Sequence, residues 1–164
     1  MTTPEQRLAD LGFILPVPTQ TPQGLHLPFV PINVRGNRVF VSGHPKTSKR
    51  GQIVGPYGQV GLDLTTQQAH EAARDIGLSV LANLKNAIGD LSRVAGWSRV
   101  FGMVNSAPDY HEQHVVINGF SNLILDVFGP EIGRHARSAI GTHGLPLDFA
   151  LEIEAELQIV DGPM

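Results

Sequence analysis

The chain has 164 residues, 41% of them hydrophobic and 16% charged, with a formal charge of −3, the make-up of one soluble domain rather than a disordered chain. Its twelve Lys and Arg are scattered, which disfavours a nucleic-acid partner, and the lack of cysteine excludes disulfides, thiol nucleophiles and thiolate metal sites. MTTPEQRLADLGFILP has no basic run ahead of an apolar one, and no eighteen apolar residues are consecutive, so neither a leader nor a membrane span is expected and the expected compartment is the cytoplasm.

Pro4 to Leu11 reads as a short helix with Leu8 and Leu11 on one side, followed by an extended, wrapping segment in which Pro16, Pro18 and Pro22 forbid regular helix. NVRGNRVFVSG reads as a hairpin, with Gly36-Asn37 at the turn and Val39 and Val41 alternating with Phe40 and Ser42. PKTSKRGQIVGPYGQVG is expected to be an exposed loop. Thr65 and Gln68 then form a capping-box pattern, and Ala69, Ala72, Ala73, Ile76, Val80, Leu84 and Ile88 recur at helical spacing over about six turns, ended by Gly89. WSRVFGMVN alternates as a strand. A second helix is expected over His111–Phe128, buried through Val116, Phe120, Leu123 and Val127, although Asn118-Gly119 in its interior runs against helix propensity.

FGPEIGRH reads as a loop, Arg137 to Gly141 as a strand, and Gly144 to Pro146 as a turn. In the last strand, Asp148 to Val160, Phe149, Leu151, Ile153, Ala155, Leu157 and Ile159 face one way and Glu152, Glu154 and Glu156 the other. The element order predicts an α+β fold, a mixed sheet of about six strands with both long helices on one face. The opposite face is left uncovered by the chain itself, so a partner subunit is expected against it.

Few residue constellations carry chemistry. The seven histidines are dispersed, and His111 and His114 have i, i+3 spacing instead of the i, i+4 pair of a zinc hydrolase, so no metal is expected. Ser42-Gly43-His44 lacks the elbow that surrounds a nucleophilic serine, and Ser42 reads as a strand-end hydroxyl. Arg137 and Glu152 are the stronger pair, on two strands joined by a turn, where antiparallel pairing would make them neighbours. The guanidinium could hold a substrate carboxylate through two parallel hydrogen bonds while the carboxylate orients water. A structural ion pair between strands or subunits fits that spacing at least as well.

HARSAIGTHGLPLDFALEIEAEL resembles the C-terminal signature of the Rid/YjgF family, the reactive-intermediate deaminases also known as endoribonuclease L-PSP, through Ala136-Arg137-Ser138, Leu145-Pro146 and Glu152-Ile153-Glu154-Ala155. GNRVFVSGHP and ANLKNAIGDLSRV resemble further family motifs, so the resemblance runs from about residue 24 to 160, and VINGFSNLILDVFG with an N-terminal extension at about 1–23 resembles a longer YjgF-like branch. The resemblance implies a chorismate-mutase-like domain, a homotrimer with sites between subunits, and hydrolysis of 2-enamines and 2-imines such as 2-aminoacrylate to 2-keto acids and ammonia. It implies that Arg137 binds the substrate carboxylate, that Glu152 positions the attacking water, and that Ser42, Gly43, His26, Asn118 and Ala139 line the pocket. No cofactor is implied, because an imine carbon is already electrophilic.

The chain departs from the pattern at His26, where active members have tyrosine, at His44, where they have glutamine, and at Ala139, often cysteine. These departures leave two alternatives, an altered imine substrate or a protein that binds a small carboxylate such as a 2-keto acid without turnover. Ribonuclease activity is a minor alternative, opposed by the acidic charge and the absence of a basic, aromatic-interleaved patch.

Overall fold

Thr3 is the N-cap of helix α1 (Pro4–Asp10), its hydroxyl accepting from the Gln6 amide while the Gln6 side chain accepts from the Thr3 amide. A computed structural model describes residues 2–160; Met1, the first residue of the expected extension, and residues 161–164 lie outside the described residues. The hairpin forms as the alternation predicts, with β1 (Ile32–Arg35) and β2 (Arg38–His44) antiparallel about Gly36, whose φ of 59° suits a residue without Cβ. Helix α2 (Thr66–Ile88) carries the expected capping box at Thr65 and buries the whole predicted stripe. The chain continues through β3 (Val94–Asn105), α3 (Gln113–Ile132), β4 (Ala136–Thr142) and β5 (Leu151–Ile159).

The five strands lie in the order β1-β2-β5-β3-β4, with β3 and β4 parallel and every other pair antiparallel. The sheet has five strands against the expected about six, and the Gly- and Pro-rich stretch after β2, expected as a loop, contributes only isolated bridges, such as Thr47 to Ile53 and Tyr57 to Phe149. Both long helices cover one face of the sheet. There Val39, Val41, Val100, Val104, Leu151, Ile153 and Leu157 meet Ile76, Val80, Leu84, Ile117, Phe120 and Ile124, all at most 4% exposed. Arg38, Phe40, Arg99, Phe101, Glu154 and Glu156 lie on the opposite face, where no helix or strand among the described residues covers them.

The placement of the last two strands differs from the sequence expectation. β4 does not form a hairpin with β5; β3 lies between them. The reason is the β3-α3-β4 unit, in which a crossover helix returns the chain parallel to the strand it left, so β4 docks on β3 and leaves the other edge of β3 to β5.

Asn118-Gly119 also has a physical explanation. A Cβ at Gly119 would collide with the backbone carbonyl of His70, so glycine is what allows α3 to approach α2 at this point. The expected loop after Phe128 is in part a continuation of α3, broken at Gly129 (φ 77°) and restarted by Pro130 for one more turn.

The segment between α1 and β1 is extended, as its prolines require, and is fixed across α2. The Thr19 amide donates to Asn83 Oδ1 (2.8 Å), while Asn83 Nδ2 donates to Thr19 Oγ1 (2.7 Å) and to His44 Nε2 (2.9 Å). His44 Nδ1 lies 2.6 Å from the Ser42 carbonyl, which can only accept, so the ring is the neutral Nδ1–H tautomer with Nε2 free to accept.

Candidate functional site

Arg137 is the third element of a side-chain array built between the edge strand β4 and helix α3. Its Nη1 donates to Asn118 Oδ1 (2.9 Å) and Ser121 Oγ (3.1 Å), and its Nη2 to the His114 carbonyl (3.3 Å). Asn118 and Ser121 stand one helical turn apart and so share a face. Burial lowers the Arg137 pKa, but an arginine remains charged under these conditions. Behind it, His135 Nδ1 donates to the Gly133 carbonyl (2.7 Å), which leaves Nε2 to accept from the Ser121 hydroxyl (2.9 Å). Ser121 Oγ thereby offers its lone pairs to Arg137. Burial holds the His135 pKa below its usual value, the Gly133 bond opposes this, and the Arg137 charge adds to the lowering. A hollow of about 450 Å³ opens beside the guanidinium, lined among others by Asn118, Ser121, Asn122, Arg134 and His135.

Glu152 lies elsewhere. Arg137 pairs with Val100, which is fully buried against the helices, whereas Glu152 pairs with Met103 on the opposite side of the pleat. The two residues are therefore on opposite faces of the sheet and on strands separated by β3, and the expected cross-strand contact does not exist within one chain. Glu152 packs against the Gly43 backbone, its carboxyl oxygens 3.5 and 3.6 Å from where a Gly43 Cβ would stand. Burial raises its pKa, and the neighbouring Glu154 charge raises it further.

The remaining candidates divide between these two places. Asn118 joins Arg137, and Ala139, two residues along β4, packs against the core on the same side. Ser42 and Gly43 belong with Glu152, and the Ser42 hydroxyl donates to the Val30 carbonyl (2.7 Å), fixing the chain that enters β1. His26 is exposed and joins neither. His44 is 3% exposed and turned toward α2, so its departure from glutamine concerns the core and the Thr19 contact more than either half of the site.

Ser121, Arg134 and His135 were not singled out from the sequence. The signal was present, because His135 precedes Arg137 by two positions along an extended chain and Ser121 follows Asn118 by one helical turn, but only the packing of β4 beside α3 joins the two patterns.

Residues 5–153 match the model of the YjgF/chorismate mutase-like endoribonuclease family. The chain is 42% identical over 125 residues to Protein TCP17 of Trypanosoma cruzi, covering 76% of each. Among solved structures it is similar to Atu1372 of Agrobacterium tumefaciens, a protein of unknown function (40% identity, TM-score 0.84, 96% of this chain and 94% of the other). It is also similar to a proposed endoribonuclease of Shewanella oneidensis (30% identity, TM-score 0.84, 96% and 99%). Escherichia coli TdcF with bound serine shares the fold at 19% identity and a TM-score of 0.58, over 90% and 96% of the two chains. The chain belongs to the YjgF/chorismate mutase-like family.

Proposed function

We propose that the protein is an imine and enamine deaminase whose sites form between copies of the chain, Arg137 and Asn118 coming from one and Glu152, Ser42 and Gly43 from the next. The observation that carries this reading is the division of the site: a guanidinium fixed by three acceptors on one face of the sheet, and a half-buried carboxylate of raised pKa on the other. Each lacks the other's chemistry. A closed assembly of identical chains brings opposite faces together at a repeated contact, and a trimer is the state implied by the family resemblance. The TdcF structure supports a small carboxylate-bearing ligand on this fold.

In the reaction, Arg137 holds the substrate carboxylate and presents the adjacent C=N carbon to water. Glu152 accepts a proton from that water as its oxygen bonds to carbon, and the electron pair of the C=N bond moves to nitrogen. The nitrogen takes a proton from solvent to give the carbinolamine, which collapses as Glu152 returns its proton to the amine, the C–N bond breaks and the hydroxyl proton is lost to solvent as the C=O bond forms, giving keto acid and ammonia. An enamine first takes a proton on its terminal carbon. The raised pKa of Glu152 suits a group that must both accept and return a proton.

The test couples an enzyme that generates 2-aminoacrylate to measurement of keto-acid release. The protein should accelerate release, and Arg137→Ala should reduce kcat/KM by about a hundredfold or more, the order associated with losing an anchoring charge pair in a half-buried site. No acceleration over several amino-acid-derived imines, or an Arg137→Ala variant as fast as the parent, would refute the deaminase reading. A carboxylate-binding protein without turnover is the second reading, favoured by the Arg137 hollow being lined by Asn118, Ser121, Arg134 and His135 of the same chain, with no carboxylate among its lining residues. It is distinguished by thermal stabilisation with 2-keto acids that depends on Arg137 while turnover stays at background.

A further inference from the structure

The hollow beside Arg137 contains a second guanidinium. Arg134 lines it from the short link between α3 and β4, is exposed, and takes part in no ion pair among the described residues. Arg38 pairs with Glu156, Arg74 with Asp75, and Arg93 donates to the Ile88 carbonyl, whereas Arg35, Arg50 and Arg99 also make no ion pair among the described residues; what sets Arg134 apart is that it shares a hollow with Arg137. No aspartate or glutamate lines the hollow, whose remaining polar groups are the amides of Asn118 and Asn122, the Ser121 hydroxyl and neutral His135. Two cations facing one hollow without a carboxylate repel each other until an anion enters.

Their environments differ in a way that assigns separate tasks. Arg137 is held by three protein acceptors and so presents its remaining donors in one direction, as a fixed clamp must. Arg134 has no such restraint and stands on the outer rim, where it can meet a group carried farther along the ligand. The space is also larger than a three-carbon imine requires, at about 450 Å³. Asn122 lies one turn of α3 from Asn118 on the same face and adds an amide donor to the hollow.

We propose that the ligand of this site carries a second anionic group: the imine of an acidic amino acid, or the corresponding 2-keto dicarboxylate, with Arg137 on the α-carboxylate and Arg134 on the distal one. The inference rests on the reading of Arg137 as a carboxylate clamp and leaves the hydrolytic steps unchanged.

The experiment compares 2-oxoglutarate with 2-oxobutanoate by calorimetric titration of the intact protein, since the pair differs chiefly in the distal carboxylate. The parent should bind 2-oxoglutarate about tenfold more tightly, the scale of one added charge-assisted contact. Arg134→Gln should bring the two affinities together, and Arg134→Lys, which keeps the charge, should restore part of the difference. Steady-state turnover of the imines of glutamate and of 2-aminobutanoate should show the same preference. Equal affinities in the parent, or an Arg134→Gln variant that weakens both ligands in the same proportion, overturns the inference. A preference that depends on Arg134 without turnover upholds it and rejects the deaminase reading. Turnover of monoanionic imines with no preference does the reverse.

Discussion

Two half-buried or buried titratable residues set opposite pH signs. Glu152 can accept the water proton only when ionised, and burial together with Glu154 raises its pKa above the ordinary 4.5. The acidic limb of kcat/KM is therefore expected at a pH above that value, and Glu152→Gln should abolish the limb along with most of the rate; a limb centred at or below 4.5 would remove Glu152 from the proton transfer. For folding, a carboxyl with a raised folded pKa contributes stability below its unfolded pKa and loses it as pH rises through the folded value. His44 runs the other way. Its pKa is lowered from 6.5 by burial, against the raising effect of its bond to Ser42, so the unfolded chain binds its proton first. Its contribution is complete above 6.5 and disappears as pH falls through the lower folded value, with a slope for one proton of at most about 1.4 kcal/mol per pH unit. Thermal unfolding across that range should lose part of its pH dependence in His44→Gln, which retains a donor and an acceptor without a titration. What slope remains belongs in part to His135, whose shift has the same direction.

At the level of elements, periodicity and capping made most of the fold legible. Thr65 and Gln68, the apolar stripe from Ala69 to Ile88, the Gly36 hairpin and the alternation from Leu151 to Ile159 each carry their pattern within a short stretch. Gly119 did not, because the reason for it is the carbonyl of His70 on another helix. Gly119→Ala should destabilise the protein by about 3 kcal/mol, the upper range for forcing volume into a packed contact, measured by urea unfolding. A change under about 0.5 kcal/mol, the usual size for a surface substitution, would show that the helices separate at little cost.

Over the whole molecule, the sequence placed Arg137 and Glu152 among the site candidates but could not tell which strand lies between their strands. A turn at Gly144 to Pro146 suggests a hairpin, yet β5 passes to the far side of β3, a choice made by long-range pairing with β2 and β3 together. That topology gives a test of a site shared between copies. Arg137→Ala and Glu152→Gln should each be inactive alone, while co-expressed in equal amounts they should recover about a quarter of parental turnover, since random assortment leaves that fraction of interfaces with both native residues. Recovery at background would place the whole site within one chain and contradict the division.

The contacts made by Asn83 limit what can be removed from the protein. Its amide exchanges two hydrogen bonds with Thr19 and a third with His44, inside the contact of α2 with the chain that follows β2. Proteolytic trimming past Gln20 would strip Asn83 of both Thr19 partners, at about 1–3 kcal/mol for each group left without water or protein to bond. The leading segment is thus not a dispensable tail: a shortened chain would keep every strand and both long helices and yet unfold at a lower temperature.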